Sequence, residues 1–309
     1  MDMTQDTTWP TLAIIGAGNM GMGMVQRWRS LGGTMHVCDI DVARQAQAQT
    51  LGCTVHATPA QTAAAVSAGG VLIVCVVTAA QCRDVLWGPS GAAEALPSGA
   101  TVMLCPTIAP QDTQDIAQRL ASQGITTLDA PMSGGPVRAA AGTMSLMVAA
   151  DASTWHRHHP VLEQLANPVF WVSERVGDGA ATKLVNNLLA GINLVGAAEA
   201  IALAQTMGLN ATTTLDVIEQ SSGQSWIGSD RMRRALAHDT QALAHMTMLA
   251  KDTGLAIDAA QTAGFQGVLG MRTAHAFAQA LAQGMQDQDD SAMLKFILNQ
   301  TSQGQVSTS

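Results

Sequence analysis

A chain of 309 residues with 47% hydrophobic and 12% charged side chains can fill one large core or two ordinary ones, which excludes a disordered protein. A formal net charge of -8, with no basic run and no interleaving of basic and aromatic residues, argues against a nucleic-acid partner. Tyr is absent and aromatics make up only 3%, so little is available for base stacking.

The opening segment "MDMTQDTTWP" is acidic and polar and lacks the basic and apolar regions of a secretory signal. Strand candidates follow in order: "TLAIIG" (11–16), "TMHVCD" (34–39), "VLIVCVV" (71–77), "TVMLC" (101–105), "ITTLDA" (125–130) and "SLMVAA" (145–150). Several are continuously apolar, as strands covered on both faces are. Helical stretches such as "NMGMGMVQRWRSL" and "QDTQDIAQRLASQ" separate them, and this alternation predicts a mostly parallel, doubly wound α/β sheet. The five cysteines all precede residue 106 without CxxC spacing, and Cys38, Cys75 and Cys105 read as small hydrophobes in strands. A reducing cytoplasm is the simplest setting. "WHRHHP" (155–160) reads as a solvated helix face, with no metal expected there or elsewhere.

After about residue 177 strand-like runs end and Ala, Leu, Gln and Met dominate. The boundary is placed at "SERVGDG", giving a sheet domain over 1–177 and an all-α domain over 178–309. A helix over 179–206, roughly 40 Å long at ~1.5 Å per residue, enters the second domain as a spine. Asn186, Asn187, Asn193 and Glu199 interrupt its apolar surface, so a membrane span is not expected. "GMQDQDDSAMLKF" (284–296) is an acidic turn entering a helix, with Asp290 or Ser291 as the cap and Asp289 and Asp290 favouring its dipole. The tail "TSQGQVSTS" reads as disordered.

Four motifs carry chemistry. Gly16, Gly18 and Gly21 in "IIGAGNMGMGM" form G-x-G-x-x-G between a strand and a helix, with Asp39 ending the next strand about 20 residues on. That context predicts a dinucleotide site, the pyrophosphate lying at the helix N-terminus and Asp39 on the ribose. A carboxylate there repels a 2′-phosphate, and Ile40 and Asp41 supply no arginine to offset it, so NAD is preferred to NADP. Ser133-Gly134-Gly135 offers a hydroxyl and accessible amides suited to a carboxylate, or is merely a glycine-rich turn. Lys183 and Asn187, at i and i+4, project from one helix face and can both reach one substrate hydroxyl. Alternatively Lys183 snorkels and Asn187 caps a neighbouring backbone group. Lys251, beside Asp252 at the start of a further helix, is either a surface ion pair or a second cation that would help depress the Lys183 pKa.

In this order, over about residues 11–298, the motifs resemble the β-hydroxyacid dehydrogenase family, which includes 3-hydroxyisobutyrate dehydrogenase and tartronate semialdehyde reductase. The resemblance implies that Lys183 is the catalytic acid/base, that Asn187 holds the substrate and that Ser133, Gly134 and Gly135 bind its carboxylate. It adds Thr107 and Lys251 to a cofactor set of Gly16, Gly18, Asn19, Met20, Gly21, Asp39, Val77 and Thr78. Within the family, "VVTAAQCRDVLWG" (76–88), "SSGQSWIGSDRM" (221–232) and "DQDDSAMLKF" (287–296) look most like the L-threonate dehydrogenase branch. The all-α half of such enzymes closes over the substrate, which makes Ser225, Trp226 and Arg231 pocket candidates. The expectation is NAD-dependent oxidation of L-threonate to its 2-oxo acid by a homodimer or homotetramer. The rivals are a 3-hydroxy acid such as 3-hydroxyisobutyrate, a serine-like acid or tartronate semialdehyde, and a catalytically silent oligomeric scaffold.

Overall fold

The computed structural model describes residues 10–306. The reading of the N-terminal segment through residue 9, and that of the tail over 307–309, lie outside the described residues.

Nine strands occur among the described residues: β1 (Leu12–Ile15), β2 (Met35–Cys38), β3 (Thr54–Val55), β4 (Val71–Val74), β5 (Thr101–Leu104), β6 (Thr126–Asp129), β7 (Met132–Ser133), β8 (Ser145–Ala149) and β9 (Val169–Ser173). Seven helices interleave with or follow them: α1 (Asn19–Ser30), α2 (Val42–Thr50), α3 (Pro59–Ala63), α4 (Ala79–Trp87), α5 (Pro110–Ala121), α6 (Gly135–Ala141) and α7 (Ala152–Leu165). The sheet order begins β3-β2-β1-β4-β5-β6, all parallel, so the expected mostly parallel Rossmann-type sheet is what forms. Antiparallel β8 continues it beside β6 and β7, and β9 runs parallel to β8.

The apolar runs are continuous because both faces are covered. Leu12, Ile14, Met35 and Val37 pack with Val25 and Trp28 on one side. Ala13, Ile15, Leu72 and Val74 pack with Ile116 and Leu120 on the other. The chain leaves β1 toward β2 on one side, and β4 lies on the other. This reversal leaves a crevice at the carboxyl ends of β1 and β4, where open α/β sheets bind ligands.

Strands β3, β7 and β9 were not anticipated. The first two are two residues long, below any readable period, and β9 leaves Phe170 and Trp171 half exposed instead of alternating. One reading of α7 is corrected: His158 does not join the solvated face but is buried, its Nε2 2.8 Å from the Thr101 hydroxyl. Burial pushes its pKa down to about 4, so it is a neutral hydrogen-bonding core residue.

The second part is helical: α8 (Asp178–Thr206), α9 (Ala211–Glu219), α10 (Trp226–Leu236), α11 (Met246–Thr262), α12 (Val268–Ala282) and α13 (Met293–Val306). Its core is Leu194, Ala198, Ile201, Leu215, Met232, Met246, Phe277, Met293 and Phe296. Gly191 on α8 lets the helices close up, since a Cβ there would sit 2.7 Å from the Thr253 methyl. By length and mean hydropathy (1.5 over its most apolar window) α8 would pass for a membrane span, but Leu194, Ala198 and Ile201 place its inner face in this core. The tail reading is corrected in part, because α13 continues to Val306.

The acidic turn also differs from expectation. Asp289, not Asp290 or Ser291, is the cap: it accepts from the Ser291 amide and also from Leu243, Ala244 and Arg234. Asp290 is buried against Arg231 instead. By its internal contacts the chain forms compact units over 1–183 and 184–309, and the first turn of α8 belongs to the unit that holds the sheet.

Candidate active site

The glycine turn is built by sterics. Gly16 has φ +94, and a Cβ there would run into the Cys75 carbonyl of β4's continuation; one at Gly21 would strike the Gly16 carbonyl. Gly18, the uncapped residue before α1, differs: its φ of -61 suits any residue, and an added Cβ would meet nothing within 4 Å. The protein itself therefore does not require glycine at 18, whereas a diphosphate approaching the α1 N-terminus would. The turn fits a dinucleotide. Gly18→Val is accordingly expected to melt within about 3 °C of wild type yet to lose at least roughly tenfold in NADH affinity by fluorescence titration, whereas Gly16→Val should fail to fold. Equal NADH affinity in Gly18→Val would remove the turn from the site.

Asp39, just past β2, accepts from the Ala17 amide inside the turn (2.5 Å) and from the Asp41 amide (2.8 Å). Both oxygens are oriented by backbone, and each keeps a lone pair for a ribose hydroxyl. Asn19 opens α1, and its Oδ1 accepts from Arg44 on α2 at 2.7 Å. No arginine follows Asp39 directly, but the fold returns this one to the turn. Met20 packs against the sheet core. Val77 and Thr78 lie past β4, where Gln81 closes a capping box on Thr78 and also takes the Val77 amide. Thr107 follows β5. All these residues sit beyond the carboxyl ends of parallel strands.

β6 ends on Asp129. Its carboxylate is 1% exposed and accepts from the Gly177 amide (2.8 Å) and the Ala180 amide (3.1 Å) at the start of α8. Burial pushes its pKa up to about 6 against these bonds. Four residues on, β7 delivers Ser133, and Gly134 and Gly135 start α6 with φ of +131 and +76. Lys183 lies on α8 and is buried at 6% exposure.

One turn further, Asn187 is also buried, and in the helical unit its amide donates to Asp252 (2.5 Å), not to a backbone carbonyl. Asn186 donates in turn to the Asn187 oxygen. Lys251 pairs with the other Asp252 oxygen at 2.6 Å. It is the sixth residue of α11 rather than its start, and the pair is half-buried rather than a surface bridge. Of the pocket candidates, Ser225 caps α10 by accepting from Gly228, Trp226 is exposed, and Arg231 is buried in ion pairs with Asp290 and Asp230.

Residues 11–173 match the family model for the NAD binding domain of 6-phosphogluconate dehydrogenase, and residues 177–297 match that for the NAD-binding of NADP-dependent 3-hydroxyisobutyrate dehydrogenase. The chain belongs to the 3-hydroxyisobutyrate dehydrogenase family. The L-threonate dehydrogenase of Haemophilus influenzae is 33% identical over 92% of this chain and 94% of its own. That of Escherichia coli K12 is 35% identical, with 92% and 93% covered. A crystal structure described as 3-hydroxyisobutyrate dehydrogenase from Salmonella typhimurium superposes with a TM-score of 0.86 at 33% identity, covering 93% of this chain and 99% of that one.

This member of the 3-hydroxyisobutyrate dehydrogenase family is an NAD-dependent hydroxyacid dehydrogenase. Three polar residues near its candidate site were not assigned from sequence. Asp252 had a signal, a carboxylate directly after Lys251 and buried in α11. Asp129 ends a strand just before the Ser133-Gly134-Gly135 turn, and nothing local relates it to the Gly177 and Ala180 amides. Arg44 had none, because nothing local relates it to Asn19.

Proposed function

We propose that this dehydrogenase oxidises the C2 hydroxyl of L-threonate, giving the 2-oxo acid, with NAD as acceptor. The observation that carries the substrate is the 33–35% identity to L-threonate dehydrogenases across 92% of the chain. NAD, when bound, would supply the hydride acceptor. Lys183, in its neutral form, takes the hydroxyl proton as the C2 hydride departs and the C–O bond becomes C=O. Asn187, fixed through Asp252 and Lys251, orients that hydroxyl. Ser133 with the amides of Gly134 and Gly135 takes the carboxylate, and Ser225, Trp226 and Arg231 shape the remaining pocket. Gly16, Gly18, Asn19, Met20, Gly21, Asp39, Val77, Thr78, Thr107 and Lys251 hold the cofactor, and the Asp39 carboxylate supports NAD over NADP.

The setting is a cytoplasmic homodimer or homotetramer, a reading supported by exposed Val185 and Leu189 on α8 and Val268, Leu269 and Met271 on α12.

The test follows NADH formation with NAD and, in parallel, L-threonate, 3-hydroxyisobutyrate, L-serine and glycerate. L-threonate is expected to give a kcat/KM at least about tenfold above the others. A higher value with 3-hydroxyisobutyrate would retain the chemistry and refute the substrate.

A further inference from the structure

The Asp129 carboxylate is costly where it lies. It is buried, its burial outweighs the amide bonds it accepts, and among its electrostatic neighbours Asp178 adds repulsion. An ordinary helix cap would be a side chain beside the helix itself, in water. Here the acceptor comes from a strand 48 residues away in sequence and grips the Gly177 and Ala180 amides across the first turn of α8. Gly179 makes the grip close: a Cβ there would fall 2.7 Å from the Met147 carbonyl, 2.8 Å from the Asp129 carbonyl and 2.9 Å from its Cγ. Lys183 sits one turn beyond Ala180 on the same helix, and Ser133 lies four residues beyond Asp129, on β7, the strand that follows β6 after a two-residue link. One buried side chain thus references both the lysine and the Ser-Gly-Gly turn to the carboxyl end of β6.

We propose that Asp129 is a positioning residue: by clamping the head of α8 to the end of β6, it holds Lys183 in register with the Ser133–Gly135 turn. This rests on Lys183 being the acid/base. A displacement of about 1 Å in such a group lowers rate without weakening cofactor binding. Asp129→Ala should therefore reduce kcat at least about tenfold, while the NADH dissociation constant, read by fluorescence, stays within about twofold. Asp129→Asn, whose amide oxygen still accepts both N–H groups, should recover kcat to within about threefold of wild type. Should Asp129→Ala not fold, Asp129→Glu serves instead, since its extra methylene pushes the helix head away; a kcat fall with unchanged NADH binding is again expected. Wild-type kcat in a folded Asp129→Ala or Asp129→Glu, or parallel losses of kcat and NADH affinity, would overturn the proposal. The reading beneath it fails separately, if Lys183→Ala turns over normally.

Discussion

Lys183→Ala is expected to lower kcat by roughly 10³-fold or more, with NADH affinity within about twofold of wild type. The side chain is 6% exposed on α8, so its amine is not a solvated surface charge. Burying an ammonium is unfavourable unless partners or chemistry compensate. A snorkelling lysine would contribute packing only, and its removal would move the melting temperature and leave turnover near wild type. Steady-state rates, NADH fluorescence and far-ultraviolet circular dichroism on one preparation separate the two. Partial recovery of rate on adding methylamine would identify the missing group as an amine. A folded Lys183→Ala retaining more than about a tenth of wild-type kcat would end the acid/base assignment.

Asp290→Ala should destabilise the protein by about 3–5 kcal/mol, because it removes the buried partner of a buried guanidinium and leaves it only the more exposed Asp230. Arg231 is 9% exposed, and its Nε donates to Asp290, whose side chain is 2% exposed. Asp230, on the other side of the same guanidinium, is 39% exposed, and an exposed pair contributes about 1 kcal/mol or less. Asp230→Ala is therefore the control. Urea denaturation should show a much larger drop in midpoint for Asp290→Ala than for Asp230→Ala, with similar slopes. Equal drops would mean that Arg231 does not depend on its buried partner. Arg231 was read from sequence only as a pocket candidate, and its heaviest engagement in the fold is with this pair.

The parts of the site legible in sequence share one property: they are local. G-x-G-x-x-G after an apolar run encodes a strand, a turn and a helix start within a few residues, and the turn came out so. Lys183 and Asn187 could be placed on one face because i and i+4 coincide on any helix. Where the reading failed, the deciding contacts were remote. "WHRHHP" looked like a water-facing helix because three imidazoles are polar, yet His158 turns inward to a hydroxyl on β5, 57 residues earlier. The acidic turn was read as a dipole effect, while Asp290 had a buried partner 59 residues away. Of the two readings of Asn187, a substrate contact or a backbone cap, neither named its partner in the fold, an aspartate 65 residues on that takes its amide.

The chain alone determined the class of the protein. Continuous apolar strands alternating with helices, then helices only, leave few ways to bury those faces, and the glycine spacing with Asp39 names the ligand class because turn sterics are fixed by three or four residues. Tertiary structure decided what each polar side chain does. Asp129 grips α8, Arg44 reaches Asn19, and Asp252 joins Asn187 to Lys251. Each of these pairings exists only once the sheet order or the helix packing is set. The physical reason is that residue type fixes only what can donate or accept, whereas which groups meet, and whether they are shielded from water, is set by the closed fold.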